Sequence, residues 1–110
     1  MLNLPNGENA IVDIQKLQDY CLNPRHKTGR NKARVFASVG IKHADAQELR
    51  AAILQAASTA EAQLGLLDIY GQRYSIDFEL TRKDRSIGIR STWIVLTGQT
   101  LPRLTSCYVL

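Results

Sequence analysis

The stretch Arg25-His26-Lys27-Thr28-Gly29-Arg30-Asn31-Lys32-Ala33-Arg34 gathers cations around one of only two histidines in the chain. A second basic region closes the sequence, Ile89-Arg90-Ser91-Thr92-Trp93-Ile94-Val95 and Pro102-Arg103-Leu104-Thr105-Ser106-Cys107-Tyr108-Val109-Leu110. There, arginines and hydroxyls recur with the alternation of a β-strand. Cations, an imidazole and hydroxyls without a metal-ligand cluster suit phosphate binding or phosphodiester chemistry. His26 lies between Arg25 and Lys27, whose charges oppose an added proton and leave the ring available as a base.

Other chemistries find little support. No paired-cysteine spacing, histidine pair at helical distance or carboxylate cluster points to a metal, and no cofactor is expected. The Gly29 segment lacks the second glycine and the Lys-Ser/Thr ending of a nucleotide-hydrolase loop. Lys32 and Arg34 at a helix start run against the helix dipole, a weak hint of anion binding. A charged, solvated helix start explains them slightly better. Cys21 falls on an apolar helix face and Cys107 beside Tyr108 and Val109, so both are expected as free thiols rather than nucleophiles. His43 reads as a residue of a helix-cap region.

These residues need elements to hold them. At 110 residues and 45% hydrophobic, the chain is expected to form one domain, 1–110, with a real core. The opening Met1-Leu2-Asn3-Leu4-Pro5 reads as the start of a soluble, cytoplasmic protein, with no export signal or membrane span. Asn6-Gly7 signals a turn, and Ala10-Ile11-Val12 a short extended segment. Asp13 is placed to cap a helix bearing Ile14, Leu17, Tyr20 and Cys21 on one face, ended by Pro24. A second helix is expected from Arg30 to Val39, closed by Gly40, and a third from about Asp45 to Ala57.

The period then changes to two. Tyr74, Ile76, Phe78 and Leu80 alternate with polar residues, Thr81 to Arg85 reads as a loop, and further strands cover Ile87 to Leu96 and Arg103 to Val109. Ala60 to Ile69 is a weaker strand candidate. The pattern predicts an α+β fold, with N-terminal helices packed on one face of a C-terminal antiparallel β-meander. The other face would then carry Arg73, Ser75, Asp77, Arg90 and Thr92. With Leu104 and Tyr108 inward, Arg103, Thr105 and Cys107 join that face, about 5 to 8 Å from neighbours on adjacent strands. The plain alternative is an ordinary solvated sheet face.

The order His26, Gly29, Lys32-Ala33-Arg34-Val35-Phe36, Tyr70-Gly71-Gln72-Arg73-Tyr74, Trp93-Ile94-Val95 and Pro102-Arg103-Leu104-Thr105 resembles a group of small bacterial proteins and C-terminal domains of polymorphic and contact-dependent toxins. The resemblance spans about Leu4 to Leu110. Many such domains are assigned to the barnase–EndoU–colicin–RelE superfold of metal-independent ribonucleases. The resemblance implies helices before a curved antiparallel sheet whose arginine-rich face holds RNA, and a partner protein that restrains the toxin.

Metal-free RNA cleavage needs a base for the 2′-hydroxyl, an acid for the leaving 5′-oxygen, and cations for the phosphate. His26 is the candidate acid or base, Arg90 and Arg103 the forked phosphate holders, and Thr92 and Thr105 the orienting groups. Lys32, Arg34 and Arg73 would add RNA-binding charge. Base stacking would fall to Tyr70, Tyr74 or Tyr108. The net charge of +4 fits a nuclease restrained by a small acidic protein. The competing reading is a non-catalytic interaction or immunity-type module.

Overall fold

The structure, a computed structural model, describes residues 2–110; Met1, part of the opening read above, lies outside the described residues. The architecture is α+β, with helices in the N-terminal half and a four-stranded antiparallel sheet in the order β1-β2-β3-β4. The strands are β1 (Gln63–Asp68), β2 (Gly71–Arg82), β3 (Arg85–Leu96) and β4 (Arg103–Val109). Among the described residues no helix is long and apolar enough to cross a membrane.

Each helix starts and stops for a local reason. Asp13 accepts a hydrogen bond from the Gln15 amide at 2.9 Å and caps α1 (Ile14–Lys16), which continues as a π-helical turn over Leu17–Cys21. Helix α2 (Arg30–Ser38) ends at Gly40, whose φ of 88° is the left-handed conformation that glycine takes without strain. There Gly40 N–H donates to Ala37 O and Ile41 N–H to Phe36 O, while Phe36 and Ile41 are both buried in the core. Asp45 accepts from the Lys42 amide just before α3 (Ala46–Thr59).

Leu49, Ile53, Ala56 and Ala57 of α3, with Phe36 and Leu17, meet Ile76, Ile89, Trp93 and Leu104 of the sheet in one core. One polar group sits among them. Ser91 is fully buried, accepts from Trp93 Nε1 at 2.9 Å and donates to Ile76 O at 3.0 Å, so no polar atom there is orphaned.

Two expectations need correction. Thr81 to Arg85 is not a loop, because pairing continues to Arg82↔Arg85 and only Lys83 and Asp84 turn the chain, Lys83 at positive φ. The facing of β4 also departs from simple alternation. Trp93 pairs with Leu104 but Thr92 with Ser106, so Thr105 is an extra residue in a bulge. From there on parity reverses. Cys107 turns into the core opposite Ser91, and Tyr108 turns outward opposite Arg90.

Candidate functional site

Register defines the outer face. Arg73 stands across from Ile94, Ser75 from Thr92 and Asp77 from Arg90, while Arg90 and Thr92 stand beside Tyr108 and Ser106 on β4. Thr92 and Thr105 share a hydroxyl hydrogen bond of 2.7 Å. So Arg73, Arg90, Thr92, Arg103 and Thr105 do lie on one face.

They do not form one cluster. Arg103 pairs with Ile94, four residues along β3 from Arg90, which at a strand's rise is about 13 Å. Arg103 instead lines a cleft of about 420 Å³ with Asp13, Lys16 and Asp19. Arg73 pairs with Asp68 at 3.2 Å and borders a shallow cavity with Thr92 and Thr105. Arg34 is exposed on α2 and makes no ion pair among the described residues.

Arg90 is already engaged. Its Nε and Nη2 donate to Asp77 at 2.7 and 2.8 Å, a forked cross-strand pair. That contact holds the Asp77 carboxyl below the usual carboxylate range, and it raises Arg90 further, with the Tyr108 hydroxyl adding to it.

Lys32 is the centre of the tightest polar group. It projects from the first turn of α2, which packs beside β4. Its Nζ donates to Tyr20 Oη at 3.0 Å and Ser106 Oγ at 3.1 Å, and lies 5.1 and 5.7 Å from the ring centres of Tyr20 and Tyr108. No carboxylate pairs with it among the described residues. Gly29 makes this possible, because a Cβ there would collide with the Tyr20 backbone and ring.

His26 adjoins the group through Tyr20, edge to face at 4.9 Å between ring centres. Its Nδ1 accepts from the amides of Thr28 at 3.1 Å and Gly29 at 3.0 Å, in the turn that leads into α2. Those bonds use the Nδ1 lone pair, so the ring's proton sits on Nε2. In this conformation His26 can donate a hydrogen bond from Nε2 but has no free lone pair to take a proton. The base role expected for it therefore requires the turn to open.

Beneath Lys32 lie the two cysteines, both free and fully buried. Cys21 is drawn down to about 7 by hydrogen bonding from Cys107, with burial opposing and the Lys32 charge assisting, while the same pairing and burial push Cys107 up. Sequence alternation hid this arrangement. Alternation sets Tyr20 on an apolar helix face and Tyr108 inward, and only the β4 bulge puts Ser106 and Tyr108 beside Lys32.

No curated protein and no solved structure shows significant similarity to the chain. A family match does cover residues 3–110. The chain therefore belongs to the family described as Domain of unknown function (DUF6883).

Proposed function

We propose that the chain is a metal-independent endoribonuclease of the toxin type, acting in the cytoplasm and restrained by a small acidic partner protein. The observation that carries this is Lys32, an ammonium without a carboxylate partner, set among Tyr20, Tyr108 and Ser106 within one strand of Arg90. A phosphodiester seated there would meet Lys32, the Tyr108 hydroxyl and the Nε2–H of His26. Cleavage would form the O2′–P bond and break the P–O5′ bond, leaving a 2′,3′-cyclic phosphate. Water would take the 2′-hydroxyl proton and return one to the leaving 5′-oxygen, while Lys32 Nζ, positioned by Tyr20 and Ser106, and the Nε2–H of His26 would hold the phosphoryl oxygens. The partner's acidity follows from complementarity to a chain of net charge +4.

A second reading, a non-catalytic phosphate- or RNA-binding module, is favoured by two contacts: Arg90 is occupied by Asp77, and His26 Nδ1 by backbone amides. The test is purified protein with a single-stranded RNA oligonucleotide in chelator, products resolved by mass. A cyclic-phosphate product, absent with DNA and reduced about 30- to 1000-fold by Lys32→Ala, is expected, the loss of one transition-state contact of 2 to 4 kcal/mol. Lys32-dependent binding without cleavage would leave the binding module. Neither binding nor cleavage would remove both.

A further inference from the structure

The sheet has two edges of opposite character, and β1 is the bare one. Leu64, Leu66 and Leu67 on β1 are 65%, 67% and 71% exposed, and Ile69 and Tyr70 in the following turn 85% and 63%. An edge strand with free backbone groups and a row of leucines is a template for another strand. From Ala62 to Leu67 this edge carries no charge; of the two acids that flank it, Asp68 is paired with Arg73 and Glu61 lies where the backbone bridges to Asn3.

The facing of β1 identifies the occupant. Leu64 stands across from Tyr74 and Leu67 from Gln72, with one residue too many between them. This bulge puts Leu64 and Leu67 on the helix side of the sheet and Gln63 and Asp68 on the outer side. The pattern is symmetric about the Gly65–Leu66 peptide. We propose that β1 pairs antiparallel with β1 of a second copy across a two-fold axis at that peptide, joining two sheets into one of eight strands. In that register Leu64 of one copy faces Leu67 of the other on the same side. Gln63 faces Asp68, an amide donor against a carboxylate, and no like charges meet. β2 meets this bulge by setting one residue against two, whereas a second β1 meets it residue for residue. A two-fold axis also closes the assembly at two copies, because each β1 edge is then used.

The proposal is independent of any enzymatic role. Sedimentation of the full chain at concentrations from about 1 to 500 μM tests it. Wild type should shift to twice the chain mass, and the exposed-site double substitution Leu64→Lys with Leu67→Lys should sediment as a monomer with an unchanged circular-dichroism spectrum. The control Val35→Lys, on exposed α2, should dimerise like wild type. If the double variant loses its fold, the strand-compatible pair Leu64→Thr with Leu67→Thr replaces it. A monomer at every concentration, open-ended oligomers, or a dimer that survives the β1 substitutions would overturn it.

Discussion

The β4 edge and the β1 edge close the same sheet and are treated in opposite ways. Along β4, α2 covers the strand and Lys32 saturates its contacts with hydroxyls and phenol rings, while Ile11 bridges the strand's start by accepting from Leu104 N at 3.0 Å. Along β1, leucines stand in solvent with no helix over them. A polar edge that must keep a defined geometry is buttressed, and an apolar edge that must meet something else is left open.

The comparison can be broken by cutting one buttress and one bare residue. Phe36→Ala on α2 should cost about 3 to 5 kcal/mol by denaturant unfolding, because a fully buried ring leaves a cavity under the β4 edge. Leu66→Ala in the monomeric state should fall within about 0.5 kcal/mol of wild type. Equal losses would mean that the two edges do not differ in their contribution to the fold.

A smaller effect is expected from Gly29→Ala, which forces Tyr20 away from Lys32. About 1 to 3 kcal/mol of stability should be lost as overpacking, with RNA binding falling more than in an exposed control such as Gln55→Ala on α3. Unchanged binding would separate Tyr20 from the Lys32 group.

The smallest effect sharpens the electrostatics of the outer face. Asp77 has its folded-state value lowered by Arg90, so its stabilisation is complete above the ordinary value of 3.8 and is lost as pH falls through the lowered one. Asp77→Asn should flatten the stability curve below about pH 4 and free the Arg90 fork. A curve as steep as wild type would show that the pair is solvent-screened and adds nothing.

Much of this was legible in the chain. The Asp13 cap, the Gly40 stop and the alternation of Tyr74 to Leu80 place the helices and central strands, because caps and periodicity are local. The shared outer face of Arg73, Arg90 and Thr92 followed from parity alone. What parity could not reveal was nonlocal: the Thr105 bulge, the wrapping of Lys32 over β4, and the Asp77 carboxylate occupying Arg90. Nor does composition report that the His26 lone pair is spent on two amides, since any turn residue can be followed by N–H groups.

The extra residue in β4 has a further consequence. With Thr105 placed in ordinary pairing, the strand could slip by one, setting Ser106 and Tyr108 against the core and expelling Cys107 and Val109. Burial of Cys107 favours the observed alignment, and Lys32 reinforces it, because only there do Ser106 and Tyr108 stand where the ammonium can reach them. Lys32 thus proofreads the threading of the last strand. A chain shortened by Thr105 alone would need no such check, since its alternation would admit a single alignment.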